Sequence, residues 1–122
     1  MNKKTVLFID DEPGVLSALR RAFHGGEWNL LFARSGAEAL EMVTEMPVDV
    51  VVCDLHMPEM NGVAVFEKLR ERHSGIVRIM LSAFVEDESI ERALAEECAH
   101  RVLLKPWSDE QLRQAIAESL DS

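Results

Sequence analysis

The sequence has no apolar run near the roughly 18–20 residues that a membrane-spanning helix needs, which excludes a helical span. It has only two cysteines, Cys53 and Cys98, and they form neither a disulfide framework nor a metal-spaced cluster. Positive charge is scarce: 13 lysines and arginines stand against 22 aspartates and glutamates. The resulting net charge of −9 argues against a nucleic-acid surface on this domain. After the basic start Met1-Asn2-Lys3-Lys4, only Thr5 to Ile9 precede Asp10, too short for a signal h-region. The chain is therefore expected to stay in the cytoplasm, away from membranes. No repeat, low-complexity stretch or linker interrupts it.

What is present is a globular composition, 48% hydrophobic and 29% charged, in 122 residues. That length reads as one domain, residues 1–122. Such a chain buries about two-thirds of its unfolded surface, enough for a real core.

Short β-rich runs alternate with helical spacing. Thr5–Ile9 reads as a strand that stops at Asp10-Asp11. Val15, Leu16, Leu19, Ala22 and Phe23 mark one face of a helix that ends at Gly25-Gly26. Leu30–Ala33 is a second strand. Ser35-Gly36-Ala37-Glu38 has the pattern of a capping box and opens a helix through Leu40 and Val43, up to Pro47. Val48–Cys53 is a third strand ending at Asp54. Asn61-Gly62 opens a helix carrying Val65, Phe66 and Leu69. Ile76–Leu81, interrupted by Arg78, is a fourth strand ending at Ser82. A fourth helix is expected on Ile90, Ala93 and Leu94, and a fifth strand on Val102–Leu104, ending at Lys105. Ser108-Asp109-Glu110-Gln111 is a second capping box, opening a last helix with Leu112, Ala115, Ile116 and Leu120 inward.

Strands apolar on both faces are buried on both faces. The expected fold is therefore α/β: a five-stranded parallel sheet, doubly wound, in a three-layer sandwich. Such folds keep functional residues at the carboxyl ends of the strands. Those ends carry Asp10, Asp11, Asp54, Ser82 and Lys105.

Three carboxylates, an ammonium and a hydroxyl have a definite chemistry. Two carboxylates about 5 Å apart repel by roughly 3 kcal/mol at an effective dielectric of 20. A hard divalent cation relieves that repulsion, and oxygen donors with retained water suit Mg²⁺. Asp54 is the candidate nucleophile, because aspartate can form an acyl phosphate. Lys105 can pair with one phosphoryl oxygen and Ser82 can hydrogen-bond another, and positioning with charge neutralisation is most of what phosphoryl transfer requires.

Four motifs spread in order along the chain sharpen this reading: Phe8-Ile9-Asp10-Asp11-Glu12-Pro13, Asp54-Leu55-His56-Met57-Pro58-Glu59-Met60-Asn61-Gly62, Leu81-Ser82-Ala83 and Leu104-Lys105-Pro106. Together they resemble the receiver domain of two-component response regulators. The resemblance implies a flavodoxin-like (βα)5 fold and a signalling switch. Asp54 would take a phosphoryl group from a sensor histidine kinase or a phosphotransfer protein. Asp10, Asp11, Asp54 and the backbone carbonyl of His56 would hold Mg²⁺. The domain would then be no enzyme on outside substrates, its chemistry limited to its own phosphorylation and dephosphorylation. The output would pass through the face of the fourth helix, fifth strand and last helix, which is also one route to a homodimer. The effector would be fused or separate, making this a stand-alone regulator or the amino-terminal module of a longer one. Four positions set this chain apart within the pattern. Val102 stands where the family usually has the aromatic switch residue, Ser82 replaces a common Thr, and His56 and Phe84 occupy the positions that tune phosphoryl lifetime.

Taken singly, these residues have plainer readings. Asp10-Asp11 alone is a solvated loop with a helix N-cap, favoured by the helix dipole. Asp54 alone is a capped strand end. His24, His73 and His100 read as surface residues, Cys53 and Cys98 as small core fillers, and Trp107 as packing at the head of the last helix. Glu86-Asp87-Glu88 reads as an exposed helix start. Competing functions are a phosphohydrolase of haloacid-dehalogenase type, which would carry Asp-x-Asp after the first strand, and a flavin carrier, whose phosphate Asp10-Asp11-Glu12 would repel. A receiver working without phosphate is opposed by the complete acidic and lysine set.

Overall fold

The computed structural model describes residues 3–54, 62–82, 99–104 and 107–120. Its elements run β1 (Thr5–Ile9), α1 (Pro13–Phe23), β2 (Asn29–Ala33), α2 (Gly36–Glu45), β3 (Val50–Asp54), α3 (Gly62–Arg72), β4 (Val77–Ser82), β5 (Arg101–Leu104) and a last helix, here α4 (Asp109–Leu120). The strands form one parallel sheet in the order β2-β1-β3-β4-β5. The switch in strand order therefore falls between β1 and β3, at the edge where a doubly wound sheet opens a crevice. The expected fold class is the one found. The helix expected on Ile90, Ala93 and Leu94 lies outside the described residues.

Period-two alternation splits the strand residues into two cores. Leu7, Ile9, Val51, Cys53 and Met80 pack with Ala39 and Val43 of α2 and with Val65, Phe66 and Leu69 of α3. Val6, Phe8, Val50, Val52, Ile79 and Leu81 pack with Leu16, Leu19 and Phe23 of α1 and with Leu112, Ala115 and Ile116 of α4. Fully burying one such side chain stabilises by about 1.5–3 kcal/mol, so the central strands anchor both layers. Trp107 packs against the second core, as its place at the head of α4 implies.

Helix ends follow local chemistry. Ser35 Oγ accepts the Glu38 N–H at 3.1 Å. The return bond from the Glu38 carboxylate reaches the Arg34 N–H, one residue earlier than in a standard box. At α4 the box is reciprocal: Ser108 Oγ accepts the Gln111 N–H at 3.0 Å, and Gln111 Oε1 accepts the Ser108 N–H at 2.8 Å. Past α1, Gly25 takes φ +70°, a conformation that glycine adopts without a Cβ penalty.

Two expectations shift. β3 starts at Val50 rather than Val48 and includes Asp54. Asp49 instead ties the strand's start to β1, its Oδ2 accepting the Thr5 N–H at 2.8 Å. Ile76 precedes β4 as a buried turn residue whose N–H is bonded to His73 O. On α4, Leu120 packs half-buried against the second core as expected, and Ser119 beside it is buried with its hydroxyl donating to Ala115 O at 2.8 Å.

Candidate functional site

Parallel register places the acidic residues. Ile9 lies opposite Cys53, so Asp10 and Asp54 take the next positions on neighbouring strands. Adjacent strands lie about 4.8 Å apart. By alternation, Asp10 follows Val6 and Phe8, and Asp54 follows Val50 and Val52, so both belong to the face covered by α1 and α4. Asp54 lies opposite Leu81, and Ser82 lies opposite Leu104. Every described member of the expected set thus stands at the carboxyl edge of the sheet.

Burial separates these residues from ordinary loop carboxylates. Asp10 is 3% exposed, Asp54 8% and Ser82 fully buried, while Asp11 is half-buried. Asp10 is fixed from two sides: its N–H donates to Ala33 O at 3.1 Å, and its Oδ1 accepts the Glu12 N–H at 2.9 Å. Glu12, not an aspartate, is the N-cap of α1, and its side chain makes no capping bond. Pro13 follows in the first turn, where a missing N–H costs nothing. The solvated-loop reading of Asp10 does not fit that burial. The helix N-terminus beside these residues favours negative charge, which offsets part of their mutual repulsion.

The carboxylates also act on one neighbour. The Cys53 thiol is buried, and burial pushes its pKa well above the usual range, with the negative charges of Asp54 and Asp10 pushing the same way. Its Sγ donates to Asp54 O at 3.3 Å. Cys53 is therefore an inert filler, as its sequence context implies. The fields of both carboxylates meet at one point on the β3 edge.

The other expected residues divide by position. His56, Phe84, Cys98, Lys105, Met57, Met60 and the run Glu86-Asp87-Glu88 lie outside the described residues. Leu104, which immediately precedes Lys105, is 41% exposed at the end of β5. Val102 is half-buried against the α2/α3 core. His24 and His100 are exposed and His73 is half-buried. Among the described residues, no three His, Cys, Asp or Glu side chains are gathered closely enough to hold a metal ion. The donors present are nonetheless all hard oxygens, and Mg²⁺ needs only one or two carboxylates beside water and other oxygens, so the chemistry of this edge fits it.

Sequence reasoning missed the two backbone partners of Asp10, Glu12 N–H and Ala33 O. The first could have been found, since an aspartate two residues before a helix start often accepts the N–H two places on. The second depends on β1–β2 register and is invisible in sequence.

A profile of the response regulator receiver domain matches residues 6–117. The chain is 34% identical over 118 residues to the hydrogenase transcriptional regulatory protein HoxA of Cupriavidus necator, covering 97% of this chain and 24% of that protein. It is 37% identical over 119 residues to the sensor kinase CckA of Brucella abortus, covering 96% of this chain and 12% of that protein. The chain thus spans about a quarter or less of these relatives. Among solved structures, the signal receiver domain of an HD domain-containing protein from Pseudomonas fluorescens superposes with a TM-score of 0.92 at 27% identity, covering 98% of this chain and 96% of that one. A CheY-like receiver from Methanospirillum hungatei shares the fold, with a TM-score of 0.92 at 22% identity and coverage of 98% and 95%. No helix among the described residues is long and apolar enough to cross a membrane. With almost the whole chain inside the profile and a strand-end acidic edge on a 2-1-3-4-5 sheet, the chain belongs to the response regulator receiver domain family.

Proposed function

We propose that this chain is a phosphorylation-dependent switch with Asp54 as its phosphoacceptor. The observation that carries the reading is the pairing of two buried carboxylates, Asp54 and Asp10, at neighbouring strand ends on one face of the sheet. Burying two like charges is costly unless a bound partner rewards it.

The donor is the phosphohistidine of a sensor histidine kinase or phosphotransfer protein. A carboxylate oxygen of Asp54 attacks phosphorus; the new P–O bond forms as the P–N bond breaks, and the donor imidazole leaves with the bonding pair. Asp10, Asp11, Asp54 and the His56 carbonyl would hold Mg²⁺. When bound, that ion supplies the positive charge that lets a phosphoryl group approach the acidic edge. Asp10 is held for this role by Glu12 N–H and Ala33 O. The Ser82 hydroxyl hydrogen-bonds one phosphoryl oxygen and the Lys105 ammonium pairs with another. Water later attacks phosphorus and frees the Asp54 carboxylate, so the domain turns over only its own phosphoryl group.

The output passes from residues 83–98 to the face of β5 and α4. Val102 replaces the ring that usually moves in the family, so the residues after Ser82 carry the change directly. That face is also where a second copy would dock. Residues 1–122 form one receiver module, working alone or joined to a separate output. A gene-regulatory output is supported by the resemblance to HoxA and to the transcriptional regulatory protein ZraR of Escherichia coli, of each of which this chain matches about a quarter. The cytoplasm, where a kinase's phosphoryl transfer domains work, is its compartment.

Acetyl phosphate with Mg²⁺ tests this. Wild type should gain one phosphoryl group and Asp54→Asn none, with the fold retained by circular dichroism. Undiminished labelling of Asp54→Asn would sink the assignment.

A further inference from the structure

We propose that the outer edge of β2, with the groove beside it on α1, takes an extended acidic segment of a partner protein as an added strand. The inference does not depend on the phosphorylation chemistry. β2 stands at one end of the sheet and pairs only with β1. The Asn29 N–H donates to Lys4 O at 2.9 Å, and Ala33 O accepts the Asp10 N–H at 3.1 Å. In a parallel pair, alternate residues of a strand turn their backbone groups to the same neighbour. Asn29, Leu31 and Ala33 therefore face β1, while Leu30 and Phe32 turn their N–H and C=O groups outward. The next outward donor, the Arg34 N–H, is met by Glu38 Oε2 at 3.5 Å. One carboxylate of the chain itself thus already sits on this edge, and the stretch left for a partner is Leu30–Phe32. An edge of this kind is a template for strand addition.

The side chains beside the edge select the occupant. Pro13, Leu16, Ser17 and Arg20 form one stripe of α1, at spacings of three and four, and face Phe32 and Arg34 across a groove of about 280 Å³. Small-molecule sites run to roughly 300–1,000 Å³, so this groove suits single side chains rather than a whole ligand. The Arg20 guanidinium lies over the Phe32 ring, 4.6 Å from its centroid. Among the described residues, neither Arg20 nor Arg34 has a carboxylate within ion-pair distance. α1 carries no acidic residue along Pro13–Phe23, and Glu38 at the groove is turned to the Arg34 N–H. A chain of net charge −9 therefore keeps a net positive groove at this edge.

An added strand sends alternate side chains to the two faces of the sheet. Those on the α1 face meet Arg20 and Arg34, whose guanidiniums pair with carboxylates. Those on the other face meet the half-buried Leu31 and Leu40. Alternating acidic and apolar residues are the matching pattern. A second copy of this chain does not supply it, because its own β2, Asn-Leu-Leu-Phe-Ala, has no carboxylate to offer the two arginines.

Amide exchange of the whole chain, titrated with a short blocked peptide alternating glutamate and valine, tests this. Without peptide, Leu30 and Phe32 should exchange faster than Leu31 and Ala33. Saturating peptide should raise protection of Leu30 and Phe32 about ten-fold and leave Leu31 and Ala33 unchanged. Lysine in place of glutamate in the peptide should weaken binding about ten-fold or more, as should Arg20→Gln combined with Arg34→Gln. Both arginines are exposed, so the double variant should melt as wild type does. No binding at about 1 mM peptide, equal binding of the lysine peptide, or binding with no change at Leu30 and Phe32 would each overturn the proposal. So would protection of those two amides that rises with protein concentration alone, which would make a second copy the occupant. If the double variant melts early, the exchange of charge in the peptide still decides on wild type.

Discussion

Neutralising Asp10 should stabilise the metal-free protein and weaken the metal-bound one. Asp10→Asn keeps an Oδ1 that can accept the Glu12 N–H, so the turn into α1 survives the change. What disappears is one of two buried charges at neighbouring strand ends. At about 5 Å and an effective dielectric of 20, their repulsion is about 3 kcal/mol. The helix dipole and other partners offset part of it, so the expected gain is about 1–3 kcal/mol. For a chain of this length, 1 kcal/mol shifts Tm by about 4 °C, giving a rise of about 4–12 °C in chelator. Mg²⁺ acts the other way. At 100 times its Kd it stabilises wild type by about 2.7 kcal/mol, and Asp10→Asn should lose most of that. Thermal melts of both proteins, with chelator and with saturating Mg²⁺, should therefore show the variant gaining its advantage in chelator and losing it in metal. An Asp10→Asn protein less stable than wild type in chelator, or one with an undiminished Mg²⁺ shift, would refute the reasoning.

Ser82→Ala should still be phosphorylated but should show smaller amide-exchange changes across residues 85–94 with beryllofluoride; equal changes at matched occupancy would route the coupling elsewhere. Cys53 should resist iodoacetamide in the folded protein at pH about 8 and react once unfolded, because burial and the neighbouring carboxylates hold it as the thiol. Its raised pKa favours the fold fully below the ordinary cysteine range of about 8.5 and loses that effect as pH rises, so wild-type Tm should decline more steeply there than that of Cys53→Ala. Ser108→Ala should cost about 1 kcal/mol, or about 4 °C in Tm, through loss of the reciprocal cap; an unchanged melt would show that Ser108 and Gln111 do not hold the start of α4.

The strand ends were the most legible feature of the sequence. Val6 to Ile9 and Val50 to Cys53 are apolar on both faces, which only a covered parallel strand requires, and the first polar residue after each had to mark its edge. The two capping boxes were legible because their chemistry is local. Arg78 was not. A charged residue inside a strand reads as an interruption, yet the guanidinium is buried and bonded to the carbonyls of the turn before β4. The hydrogen bond from the Arg78 N–H to His100 Nδ1 was hidden too, since its ends lie 22 residues apart and only register brings them together. Trp28 shows the limit of periodicity: it lies between elements and is buried by its contact with Phe23, with ring centroids 6.0 Å apart. Asp10, Asp11, Asp54 and Ser82 were nameable from order and strand ends, whereas the hydrogen bond that fixes Asp10 to β2 required the sheet.

The most direct measurement is to trap the acyl phosphate. Borohydride reduces an aspartyl phosphate to homoserine, which peptide mass mapping then locates. After acetyl phosphate and Mg²⁺, homoserine should appear at position 54 alone and should vanish when Mg²⁺ is chelated. Homoserine at position 10 or 11 instead, or a stable phosphoryl adduct that leaves Asp54 unreduced, would contradict the account.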